Sequence, residues 1–302
     1  MAAAAGGYAV CPLPFYYAMS QAGRAVIAAW HHESDWNSVR THGLSVPAEN
    51  AASVPDTHVA PKPSGMFAIV SDVGGSRRLQ ASVPLAALLA SLPDAPSGRL
   101  TAAHPRCALA FPRGESYDPK LGHHPADAVE LFVPVGRDEG WLRETYPALR
   151  EASITIENGR AAVRWPTNDA RFSRPVCDVL ERHPTAPPSF SLEPKCYVLR
   201  PALPDAPTDE PPSPLMTWWA ALFAMSSLAR YHPAVWTRAL DANESEIAVD
   251  LQETLDAALR VVPPLLQSAI SMPAEVREQL HNFVHQQHQN AGDEAANQSS
   301  QG

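Results

Sequence analysis

Between residues 215 and 230 the chain places Trp218, Trp219, Leu222, Phe223, Met225 and Leu228 on nearly every side of a helix. A helix with one apolar stripe can lie on a surface, but a helix apolar all round has to be enclosed by other elements. The fold must therefore supply partners that surround a C-terminal helix. Ser213 can cap it, and Pro214 can take its first position, where a missing N–H costs nothing. Pro233 ends it.

One partner lies at the other end of the chain. Phe15, Met19, Ala22, Val26 and Ala29 or Trp30 recur at spacings of four and three, the stripe of a helix over 15–30 that faces a core. Pro14 suits its first turn. Ile247, Leu251, Leu255, Leu259 and Val262 make a second clean stripe, starting near Ser245. The pair Pro263-Pro264 is expected to break or kink that helix before 265–270. A more polar helix is expected over 274–287, and 288–302 reads as a disordered tail.

The middle of the chain has another texture. The sequence holds 31 prolines in 302 residues, about twice the usual share of roughly 5%, which predicts short elements and rigid connections. Strands are expected at 66–70, 129–135 and 196–199, and short helices at 83–92 and 139–150. Residues 153–165 carry the clearest local signal. Ile154, Ile156, Ala161, Val163 and Trp165 alternate about Asn158-Gly159, the pair that a type I′ hairpin turn requires. The fold class is therefore α+β. An N-terminal helical segment, 1–60, packs on a C-terminal bundle, 214–287, and a mainly antiparallel central lobe spans 61–200. A proline-rich acidic linker, 201–213, separates the last two.

Composition excludes some functions. The net charge of -9 gives no overall attraction for a phosphate backbone, which argues against non-specific nucleic-acid binding. Cys11, Cys107, Cys177 and Cys196 lie far apart with no CxxC pair and read as thiols of a reducing compartment. Residues 1–7 lack the basic start of a signal peptide. No run reaches the roughly 18 apolar residues of a membrane helix. The expected location is the cytoplasm, with no membrane partner.

Four groups of residues can carry chemistry. Tyr17, Gln21 and Arg24 form a polar stripe on the first helix, which either lines a ligand pocket or fixes helix packing. Arg230, Tyr231 and Trp236 follow the apolar helix; there an arginine complements the negative helix end and can stack on the tryptophan. The pairs His31-His32 and His123-His124, with His42, stand out among 12 histidines, but no HExxH or Cys/His spacing marks a metal site. Arg24 and His31, with six residues between them, match the arginine–histidine spacing of small helical ribonucleases of the HEPN type. There a histidine serves as base on a 2′-hydroxyl and an arginine holds the phosphate; Ala25 stands where that family commonly has a polar residue. No nucleotide or nucleophile motif is present, so no cofactor is implied. The nearest thing to an anion loop is Gly74-Gly75-Ser76-Arg77-Arg78, which reads more simply as a solvated turn.

Three blocks together resemble the YaaC-like proteins of bacteria: Phe15-Tyr16-Tyr17-Ala18-Met19-Ser20-Gln21-Ala22-Gly23-Arg24-Ala25, Thr41-His42-Gly43-Leu44, and Ser227-Leu228-Ala229-Arg230-Tyr231-His232-Pro233-Ala234-Val235-Trp236. The resemblance implies a bacterial cytosolic protein in which the surroundings of Arg24, His42 and Arg230 belong together. Tyr17, Gln21, Arg24, His42, Arg230, Tyr231 and Trp236 are then the expected ligand-binding residues of one helical cleft. An arginine pair suits a small anionic ligand because its fork makes paired, charge-assisted bonds. The leading expectation is a regulatory or interaction protein that binds such a ligand or a protein partner. The alternative is a HEPN-like, metal-independent ribonuclease or nucleotide-processing enzyme in defence or stress response, with Arg24, His31 and His42 as catalytic candidates. Homodimerisation through Trp218, Trp219 and Phe223 is a further expectation, and a purely structural polar stripe is the plainest one.

Overall fold

The computed structural model describes residues 7–30, 39, 41–47, 53–112, 128–164, 181–182, 197–204 and 211–271. The chain divides into two compact units, one made of Met1–Leu85 and Pro212–Gly302, the other of Ala86–Pro211. Residues 61–85, grouped with the central lobe on sequence alone, thus lie with the terminal helices.

The discontinuous unit begins with a single helical turn, α1 (Gly7–Val10), and a long helix, α2 (Pro12–Trp30). A small antiparallel sheet follows, with order β1 (Leu44–Ser45), β2 (His58–Pro61) and β3 (Val83–Pro84). Between β2 and β3 lies α3 (Met66–Val73). After the excursion into the other unit come α6 (Pro214–Tyr231), α7 (Pro233–Leu240) and α8 (Ala248–Ser271). Helix α6 is enclosed as its composition demands. Every residue from Leu215 to Leu228 is buried, and Trp218 and Trp219 are fully so. It packs on α2, α3, α7, α8 and β2. The tryptophans and Phe223 are therefore consumed inside the chain and offer no surface to a second copy.

The other unit contains α4 (Leu85–Ala90), whose first residue lies at the boundary, β4 (Ala108–Pro112), β5 (Ala128–Phe132) and α5 (Glu139–Thr145). The hairpin strands β6 (Ser153–Glu157) and β7 (Arg160–Arg164) follow, then β8 (Glu181–Arg182) and β9 (Tyr197–Leu199). These strands form an antiparallel sheet of order β6-β7-β5-β4-β9-β8. Its core joins Ala110, Val129, Leu131, Ala161, Val163 and Leu199 to Leu142, Tyr146 and Leu149. The Asn158-Gly159 turn has positive φ at both residues, 51° and 75°. The whole is an α+β fold, as the sequence implies.

Several elements differ from their sequence expectation. The run 66–70 is helical, and its first two N–H groups, those of Met66 and Phe67, bond to a preceding turn rather than to a strand. The stretch 83–92 splits into strand β3 and helix α4, since Val59 and His58 of β2 pair with Val83 and Pro84. The helix over 139–150 stops at Thr145, and a 3₁₀ turn, Pro147–Leu149, replaces its last turn at the proline. Pro263 and Pro264 do not break α8. Both prolines lie on the exposed side of the helix. The expected helix over 274–287 and tail over 288–302 lie outside the described residues.

Candidate functional site

Helix α2 sets one wall. Phe15, Tyr16, Met19, Gly23, Val26 and Ile27 are its buried face. Tyr17 stands beside that face and is 48% exposed. Gln21 is also exposed, and Arg24 is half-buried.

A tight turn sets the second wall. The carbonyls of Thr41 and His42 accept bonds from the N–H groups of Met66 and Phe67, at 2.9 and 3.0 Å. These N–H groups open α3 and have no partner within it. The Gly43 carbonyl accepts from the Lys62 N–H at 3.0 Å, extending the β1–β2 ladder by one bond. Close backbone contact makes this possible. Gly43 has φ +80° and Gly65 φ +126°, and a Cβ on Gly65 would lie 2.6 Å from the Gly43 Cα and 2.7 Å from the Thr41 hydroxyl. The turn thereby sets Lys62 opposite Gly43, near enough for its charge to bear on the His42 imidazole. Arg24 secures the same segment, donating a bond to the Val39 carbonyl at 3.1 Å.

Helix α6 supplies the third wall. Phe223 meets the Tyr16 ring edge-on with centroids 5.3 Å apart, and the His42 ring packs on both, 5.4 Å from Tyr16 and 5.9 Å from Phe223. Arg230, in the last turn, donates from Nη1 to the Tyr17 hydroxyl at 3.2 Å. Its guanidinium also lies over the ring of Tyr231, 5.0 Å from the centroid.

The electrostatics follow from this layout. Burial holds the His42 imidazole below its ordinary pKa, and the nearby charges of Arg230 and then Lys62 push in the same direction. The Tyr16 hydroxyl is raised, chiefly by burial. It faces the Trp219 indole without a good hydrogen bond, and neither group has another partner among the described residues. Among those residues no carboxylate pairs with Arg230 or Lys62. The arrangement is a cationic corner, in which the charges of Arg230 and Lys62 both bear on the His42 imidazole and the Tyr16 and Phe223 rings pack against it.

The sequence model of YaaC-like proteins matches residues 1–270. The chain belongs to the YaaC-like protein family. No curated protein and no solved structure matches it. In this YaaC-like chain the three blocks quoted above meet in the discontinuous unit, since Tyr17, His42 and Arg230 come from one block each.

Other expected site residues lie elsewhere. Trp236 is fully buried and donates its indole N–H to the Ala9 carbonyl at 3.0 Å, so it ties α7 to α1 rather than stacking on Arg230. His31, His32, His123 and His124 lie outside the described residues. The glycine-arginine loop follows α3, not a strand. Arg78 is ion-paired with Asp72, and the Ser76 hydroxyl accepts a bond from the Ser213 N–H at 2.9 Å, so the loop braces the start of α6. Among the described residues no cluster of His, Cys, Asp or Glu forms a metal-ligand set, and no helix is long and apolar enough to cross a membrane.

Two members of the corner escape sequence reading. Tyr16 repeats the buried spacing with Met19 and Gly23, a signal that was available. Lys62 has no local signal, because only the β1–β2 register brings its charge to bear on His42.

Proposed function

We propose that this YaaC-like protein is a cytosolic bacterial regulatory or interaction protein that binds a small anionic ligand at the corner formed by Arg230, Lys62, His42 and Tyr17. One observation carries the reading. Two cations bear on the same imidazole, and no carboxylate among the described residues pairs with either. Like charges gathered with no counter-ion among the described residues raise the free energy of the empty site, and an anion reverses that cost. The Arg230 fork, already oriented by Tyr17 and Tyr231, suits the oxygens of a phosphate or carboxylate.

A thermal-shift screen with inorganic phosphate, pyrophosphate and small carboxylates tests the reading. A ligand that binds only the native state raises the melting temperature. The expected result is stabilisation by at least one anion, weakened about ten-fold or more in apparent affinity by Arg230→Ala, since a charge-assisted bond contributes roughly 1.5–3 kcal/mol. Stabilisation that persists unchanged in Arg230→Ala would place the anion elsewhere.

A second reading, a metal-independent ribonuclease, is favoured by the lowered pKa of His42, which disfavours its protonated form. An unprotonated imidazole beside an arginine can take a proton from a 2′-hydroxyl while the guanidinium holds the phosphate. Cleavage of RNA in the presence of a chelator, abolished by His42→Ala in a folded variant, would favour catalysis over binding alone.

A further inference from the structure

Resting on the anion-site reading, we infer that the ligand at this corner is a nucleoside phosphate: an aromatic base joined through a sugar to the anion that Arg230 and Lys62 hold. An inorganic anion would use only the charges. The corner also presents aromatic surface that an inorganic anion leaves unused. In the discontinuous unit, the large exposed hydrophobic side chains among the described residues are Val10, Tyr17, Tyr231, Val249 and Ile270. The two aromatic ones both touch Arg230. Tyr17 is 48% exposed and bonds to its Nη1, and Tyr231 is 65% exposed and carries its guanidinium on one face.

Open aromatic rings beside cations are the arrangement on which bases stack while the backbone phosphates meet positive charge. Tyr231 is the stacking platform, because most of its ring stays open to solvent after Arg230 has covered part of it. Tyr17 holds Arg230 in place through its hydroxyl and adds a second ring edge. The same chemistry describes a free nucleotide and the terminal nucleotide of a single strand.

Isothermal titration of the full chain with pyrophosphate, ADP, ribose 5-phosphate and a four-nucleotide uridine RNA tests the inference, beside Tyr231→Ala, Tyr231→Phe and Arg230→Ala. The expected result is that ADP binds about five-fold or more tightly than pyrophosphate, that this ratio falls towards one in Tyr231→Ala, and that Tyr231→Phe keeps it. Tighter binding of the RNA than of ADP, with the same dependence on Tyr231, identifies a strand end as the source and supports the inference; the reverse order identifies a free nucleotide and also supports it. Equal affinities for pyrophosphate and ADP, or a ratio that survives Tyr231→Ala, overturn the inference but leave the anion site standing. Absence of all binding, or binding of pyrophosphate that Arg230→Ala does not weaken, overturns both.

Discussion

At the scale of single residues, His42 carries the most informative charge state. Burial lowers its pKa first, and Arg230 and Lys62 add to that. A histidine depressed in the folded state is protonated more readily when unfolded. Stability is therefore unaffected well above the unfolded pKa of about 6.5. As pH falls below it the unfolded chain binds the extra proton and stability declines, until the folded pKa is passed and the loss levels off. In an NMR titration the His42 ring should thus titrate below pH 6.5. Arg230→Ala should move its midpoint upward part of the way, since burial and Lys62 remain. A bound phosphate should move it upward as well, because an anion favours the imidazolium. A midpoint unchanged by Arg230→Ala would mean that the guanidinium does not bear on the ring.

At the scale of elements, α2 and α6 approach each other through a single missing side chain. A Cβ on Gly23 would overlap the Trp219 indole, with Cζ3 at 2.9 Å and the Val70 Cγ2 at 3.3 Å. Trp219 is fully buried and the helix around it is enclosed, so the indole has nowhere to yield. Gly23→Ala should gain about 1 kcal/mol of helix propensity yet lose roughly 1–3 kcal/mol to overpacking. A melting temperature lower than wild type, read by circular dichroism, is the expected outcome; a higher one would show that α2 and α6 can part without cost. The same elements show what sequence can carry. The enclosure of α6 was legible because apolar residues on all its sides admit one physical solution. The hairpin at 158–159 was legible because Asn-Gly meets a backbone demand few pairs meet. The run 66–70 misled because five apolar residues have no period, and helix was selected by the Thr41 and His42 carbonyls, each 25 residues from the N–H it accepts from. Tyr17, His42 and Arg230 could be named from the sequence. Lys62 could not, since strand register is a tertiary property.

At the scale of the whole molecule, the two units differ in how the chain builds them. The helical unit is closed by bonds between its distant ends. The Tyr8 hydroxyl donates to the Asp256 carboxylate at 3.0 Å, the Trp30 indole to the Ala269 carbonyl at 2.8 Å, and Trp236 and Arg230 reach back to Ala9 and Tyr17. Its first segment alone would leave the buried face of α2 open to water, and its last would leave α6 bare on the side that α2 covers. The sheet unit draws its core from one continuous stretch, Ala110 to Leu199, and a domain with its own core can fold alone. A fragment of residues 86–211 is therefore expected to unfold cooperatively in denaturant, with β-rich circular dichroism. A fragment of residues 1–85 is expected to show no cooperative transition, and mixing it with residues 212–302 should restore one. A cooperative transition in 1–85 alone would show that α2, α3 and the small sheet suffice as a core. The cationic corner would then exist in part without Arg230, and the two long segments would be joined for binding rather than for folding.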